Sequence, residues 1–225
     1  MLTRRHIRVK VMQSLYAFNQ SENDNLASEE KFLLKSMEEM YDLFVLQLSL
    51  LTEIKAHAET FLERSQQKHL ATQEDKDPNR KFVQNAVFEI LEQNTQLEQI
   101  IDDRKLNHWK FDDEYVAILW NEIKESNAFA DYMETRDNSF KEDKDFVLAI
   151  FKKVIAPNDK IYDYFEDKKL TWLDDLPLVN TAVVKMLQKL KQTATPEDKL
   201  PKLFKSIDDK EFAVNLFRKT YLKDG

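Results

Sequence analysis

At 225 residues, with 42% apolar and 11% aromatic side chains, the chain can build one large domain or two small ones around a real core, which excludes a disordered acidic tail. It holds no cysteine, excluding a disulfide framework, a thiolate nucleophile and a cysteine-based zinc site, and its one glycine is Gly225, excluding P-loop and dinucleotide-binding turns within the chain. The formal charge is −7, but residues 1–20 hold Arg4, Arg5, Arg8 and Lys10 and no acid, so the other 205 residues carry 30 of the 34 basic and all 41 acidic side chains, a balance of −11. A basic arm on an acidic body suits a polyanion that touches the arm alone, with RNA as the first partner to consider.

In chain order, the first helix is expected over 3–18, packing through Val9, Met12, Leu15, Tyr16 and Ala17, with Leu2 or Ile7 near its start, while the basic residues fan across the other side. After the polar stretch 19–25, apolar residues from Leu33 to Leu62 at three- and four-residue steps predict a second helix from about Ser28 to His69. Its length, about 60 Å at 1.5 Å per residue, predicts a kink, a protruding arm or a helical pair. The polar stretch 71–78 closes it. Phe82, Val83, Ala86, Val87, Ile90 and Leu91 define a third helix, and Leu97, Ile100 and Ile101 a shorter one.

Residues 111–133 predict a helix with Val116, Leu119, Trp120, Ile123 and Phe129, followed by helices over 143–155 and around 158–167. Asp174, Asp175 and Pro177 then start an apolar helix over 178–190, and Asp208 opens a last one carrying Phe212, Leu216 and Phe217. No alternating strand pattern interrupts them, so the fold class is all-α. No apolar run approaches a membrane span and no signal peptide is visible, because Arg8 and Lys10 interrupt the N-terminal run. The expected location is cytoplasmic, without a membrane partner.

Four Asp-Asp pairs raise carboxylate catalysis or divalent metal binding, yet three of them precede apolar helical runs, where capping and the helix dipole explain them. His6, His57, His69 and His108 form neither a His-x-x-x-His pair nor a Glu-x-x-His step, so no metal site is expected. Trp109, Trp120 and Trp172 read as core. In the first helix, arginine suits phosphate forks, and Gln13 and Tyr16 can hydrogen-bond to or stack on an unpaired base; the competing readings are a merely solvated face and a core Tyr16.

The order Arg4-Arg5-x-x-Arg8-x-x-x-x-Gln13-x-Leu15-Tyr16 resembles the N-terminal signature of the NusB family of transcription antitermination factors, closely over residues 3–18. Phe212 to Thr220 resembles the helix that follows the family's first bundle, and Leu176-Pro-Leu-Val-Asn-Thr181 with the long second helix is similar to enlarged NusB proteins of the Bacteroidetes type. The resemblance implies a helical bundle of NusB-like type with a large helical insertion. Residues 1–20 are then the RNA-binding helix, 21–207 the insertion and 208–225 the start of the C-terminal part.

It further implies a non-enzymatic antitermination factor that binds the boxA RNA of ribosomal RNA leader transcripts with the ribosomal protein NusE, within the RNA polymerase antitermination complex, using Arg4, Arg5, Arg8, Gln13 and Tyr16. No cofactor is implied. His6, where arginine is frequent, and Val11, where alanine is, depart from the pattern. Family members continue through an Asn-Trp step into further helices that supply much of the NusE surface, so a chain ending at Gly225 reads as lacking them. The rival readings are the RNA-binding module of a ribosomal RNA methyltransferase, which would need a glycine-rich cofactor loop and a catalytic cysteine absent here, and a helical scaffold whose basic arm binds an acidic protein.

Overall fold

The computed structural model describes residues 1–21, 25–68 and 72–224; the expected end of the second helix at His69, that histidine itself and Gly225 lie outside them. The fold is all-α, with no strand among the described residues. Its helices are α1 (Arg4–Gln20), α2 (Leu26–Gln66), the short α3 (Gln73–Lys76), α4 (Ala86–Glu92), α5 (Thr95–Arg104), α6 (Asp113–Glu125), α7 (Asn127–Glu134), α8 (Phe140–Ile150), α9 (Asp159–Lys168), α10 (Thr171–Lys189) and α11 (Ile207–Asp224). A 3-10 turn covers His108–Lys110, and a π-helical turn, Phe151–Ile155, continues α8. No helix among the described residues is long and apolar enough to cross a membrane.

Two compact units divide the chain, residues 1–41 with 201–225 and residues 42–200. α2 runs as one helix of 41 residues, not as the helical pair that was one of the expectations, with its N-terminal part in one unit and the rest in the other. Successive stretches of such a helix bury against different cores. The units also cut the chain elsewhere than at 20/21 and 207/208: α1 shares its unit with the start of α2 and with α11.

In the first unit Thr3 caps α1, accepting from the His6 amide at 3.4 Å while its own amide donates to His6 Nδ1 at 3.3 Å. Imidazole thus takes the part that Glu or Gln plays in most capping boxes. The buried seam of α1 is Ile7, Val11, Ser14 and Phe18, with Lys10 beside it. Phe18 meets Phe217 at 6.3 Å and Tyr221 at 5.1 Å between ring centroids, and the Leu2 amide donates to the Leu203 carbonyl at 2.9 Å. Arg218 of α11 forms a two-point ion pair with Glu30 of α2.

The second unit is built around residues 43–51 of α2, buried on every side, as expected of a helix at the centre of a core. Trp109, Trp120 and Trp172 are all buried, as expected; Trp109 Nε1 donates to the Leu46 carbonyl at 2.9 Å. Asp143 organises the packing of α4, α7 and α8. It accepts from the Tyr132 hydroxyl at 2.6 Å and the Ala86 amide at 2.9 Å, and Asn85 donates to Tyr132 and to the Asp143 carbonyl, both at 3.1 Å. Burial beside that carboxylate pushes the Tyr132 phenol far above its ordinary pKa, keeping it a donor.

Several expected boundaries are corrected. Asn85 caps α4 with its side chain, so the helix starts at Ala86, and Phe82 and Val83 are buried in the turn before it. Burial, not helical geometry, produced their spacing. Ser126 in extended backbone ends α6, and its hydroxyl accepts from the Phe129 amide at 3.2 Å to cap α7, which splits the helix expected over 111–133, while Phe111 lies before α6, exposed at the end of the 3-10 turn. The segment 143–155 widens into a π turn, closed by the Ala156 amide on the Phe151 carbonyl at 2.8 Å, which faces both Phe151 and Ile155 inward. α10 starts at Thr171, seven residues before the expected start, and Pro177 lies inside it without an amide to donate, among the buried Trp172, Leu176 and Val179 of the same helix.

Candidate nucleic-acid interface

At 3.6 residues per turn, Arg5, Val9, Met12 and Tyr16 recur at steps of four, three and four, the same steps as Ile7, Val11, Ser14 and Phe18 on the opposite side. The second set is the seam. The first is open, with Val9 45%, Met12 67% and Tyr16 70% exposed. The expected packing stripe of Val9, Met12, Leu15, Tyr16 and Ala17 is therefore corrected: Val9, Met12 and Tyr16 form the outer face of α1, Ala17 is exposed as well, and Leu15 is half-buried. Tyr16 is free of the core, and Arg5 forms no ion pair or hydrogen bond among the described residues. About 16 Å of helix separates Arg5 from Tyr16, which places a charge at one end of the stripe and a ring at the other.

Arg4 and Arg8 lie on the flank that meets α11. Their guanidinium groups sit 5.2 and 5.6 Å from the Phe212 ring centroid, and Arg4 Nε donates to Asp209 at 3.5 Å. Cation–π contact orients both groups while leaving hydrogen-bonding edges in solvent. Gln13 is half-buried on the other flank, about 180° from Arg4 around the helix axis. Arg5 and Tyr16 therefore share a face, Arg4 and Arg8 adjoin it on one side, and Gln13 adjoins it on the other. Lys10, counted among the basic residues, is buried. Val9 and Met12, assigned to packing by their periodicity, complete the outer face; only the partner helix tells the two stripes apart.

The charge of this helix runs against its dipole. α1 has no acid of its own in its first turn, where Arg4 and Arg5 stand at the positive end, and Asp209 of α11 supplies an anion to Arg4 alone. That placement costs a few tenths to about 1 kcal/mol per charge unless an anion lies nearby.

The acidic pairs have separate duties. Asp112 precedes α6 without capping it; it accepts from the Tyr164 hydroxyl at 2.7 Å and pairs with Lys168 at 3.0 Å, and the Tyr164 donation is the main cause holding its carboxyl below the ordinary range. Asp209 accepts from the Ser206 amide at 3.3 Å at the start of α11 and from Arg4, Asp175 is buried in α10, and Asp102 and Asp103 lie near the end of α5. Among the described residues no three carboxylate or imidazole groups converge as metal ligands would. Comparison with protein-family models, curated proteins and solved structures found no match.

Proposed function

We propose that this chain is an RNA-binding transcription antitermination factor of NusB type, holding single-stranded RNA on the outer face of α1. The observation that carries the reading is the face itself: Arg5 at one end and a 70%-exposed Tyr16 at the other, with Arg4 and Arg8 on the adjoining flank and no acid among residues 1–20. Guanidinium groups bind phosphates, and an exposed phenol ring offers a platform for one base. The positive end of α1, where Arg5 has no acidic partner among the described residues, adds attraction for the backbone, and the acidic remainder of the chain keeps the RNA on this helix.

On this reading the RNA is boxA of a ribosomal RNA leader, and NusE and the polymerase complex are the protein partners, as the resemblance of residues 3–18 implies; the cytoplasm is where they would meet. Fluorescence anisotropy with a boxA-like strand, against a scrambled strand of equal length and with or without purified NusE, tests it. Tighter binding of the boxA strand, strengthened by NusE, supports the reading. Equal or absent binding of both strands at low salt refutes it. The scaffold reading draws on Val9 and Met12, whose apolar exposure also suits a protein, and it expects capture of an acidic protein with no affinity for either strand.

A further inference from the structure

Residues 176–196 hold Lys185, Lys189 and Lys191 and no acid, although 41 of the chain's 225 residues are acidic and a run of that length ordinarily carries about four. Only residues 1–21, the run that contains α1, are free of acid over as long a stretch. Asp175, buried in α10, precedes the run, and Glu197 and Asp198 follow it beyond Pro196.

The run lies in the second unit and forms most of α10. Val179, Val183 and Leu187 are buried on the inner side, and Gln47 of α2 donates to Asn180 at 3.1 Å, which fixes the rotation of the helix. Thr181, Lys185, Gln188 and Lys189 share the outer side and are exposed, and exposed Lys191 and Gln192 extend it past the helix end. Lys185 and Lys189 stand four residues apart, where like charges repel. Among the described residues neither they nor Lys191 have an ion pair or a side-chain hydrogen bond. The helix end does not require them, because Lys144 of α8 already donates to the Gln188 and Leu190 carbonyls, both at 3.3 Å.

We propose that the outer face of α10 holds the phosphate backbone of single-stranded RNA through Lys185, Lys189 and Lys191. Charge complementarity selects a polyanion. No large apolar side chain of the run is exposed, whereas a protein partner needs an apolar or aromatic centre and a membrane surface needs an apolar face to insert. Phosphates need neither. Lysine supplies point charges without the planar fork of arginine, so the contact adds affinity without reading sequence. It is a contact of the second unit and goes beyond the reading of α1.

Anisotropy of labelled oligouridine, titrated with the full chain at several salt concentrations, tests the proposal. Lys185→Gln with Lys189→Gln and Lys191→Gln keeps good helix formers and should lower the slope of log K against log salt by about 2, at about 0.7 per contact. Lys76→Gln with Lys105→Gln and Lys110→Gln removes the same charge from exposed positions on other elements and should leave the slope unchanged. Thermal unfolding of both variants should match the unaltered chain. In an Arg5→Ala, Arg8→Ala background the α10 substitutions should lower the remaining slope by the same amount, so a failure of α1 to bind RNA leaves that difference intact. An unchanged slope in the α10 variant, an equal loss in the scattered variant, or no binding of oligouridine by the unaltered chain at low salt refutes the contact. Tighter binding of polyglutamate than of oligouridine through the same lysines assigns the face to an acidic protein and refutes RNA as its occupant.

Discussion

Arg5→Ala with Arg8→Ala is the most direct probe of α1, because the structure assigns the two residues different surroundings. Arg5 stands in solvent, so its truncation removes a charge and little packing. Arg8 lies 5.6 Å from the centroid of the Phe212 ring, and its loss uncovers part of that ring, for a stability change well under that of a core truncation. If each arginine neutralises one phosphate of single-stranded RNA, the double variant should lower the slope of log K against log salt by about 1.4, at about 0.7 per contact. Over a fourfold rise in salt, from about 50 to about 200 mM, the wild type should then lose roughly sevenfold more affinity than the variant. The assay is anisotropy of a labelled boxA-like strand at four salt concentrations, with thermal unfolding followed by circular dichroism in parallel. A folded variant with unchanged affinity and slope would falsify the assignment of α1 as the RNA-binding helix.

Tyr16→Ala should leave the melting temperature within a degree or two, because the ring is 70% exposed, and should cost about 1 to 3 kcal/mol of RNA affinity with little change in salt slope. A large drop in melting temperature would return Tyr16 to the core. Phe217→Ala removes a fully buried ring that meets Phe18 and should destabilise the first unit by about 3 to 5 kcal/mol in urea titration; a change below about 1 kcal/mol contradicts the seam described. Tyr132→Phe deprives buried Asp143 of its 2.6 Å donor and should cost about 1 to 3 kcal/mol, whereas a neutral result would mean that the carboxylate finds another partner. His108 is held below its ordinary pKa, chiefly by burial and next by Lys168, with Lys169 adding to the effect and Asp112 and Asp42 opposing it, while its Nδ1 faces the Tyr164 hydroxyl. The folded state therefore binds this proton less readily than the unfolded one, and the stability so contributed is present above about pH 6.5 and lost as the pH falls below it. Melting temperatures between pH 8 and pH 5 should fall less steeply in His108→Gln; the same slope in both proteins would remove His108 as a cause.

Helix identity was legible where one rule governed the residues, and it failed where two rules competed. Glycine poverty and three-to-four-residue spacing point to helices throughout, and the all-α fold follows. The boundary that slipped at Phe82 belongs to residues fixed by partners distant in sequence, as when Asn85 donates to the carbonyl of Asp143, whereas the one at Ser126 turns on a local cap bond from the Phe129 amide that apolar spacing does not register. The packing stripe of α1 failed more instructively. α1 carries two stripes with the same spacing, Ile7-Val11-Ser14-Phe18 and Arg5-Val9-Met12-Tyr16, and the second is the larger and more apolar in its middle. Periodicity alone therefore favours burying the wrong one. What decides is Phe18 against Phe217 and Tyr221, contacts that span about 200 positions of sequence and that no local pattern encodes. Once those rings claim Phe18, a helix in water has one remaining face, and it is the face with Arg5 and Tyr16. The arginines were found by composition, the tyrosine by motif, and their common side only by the helix that packs behind them.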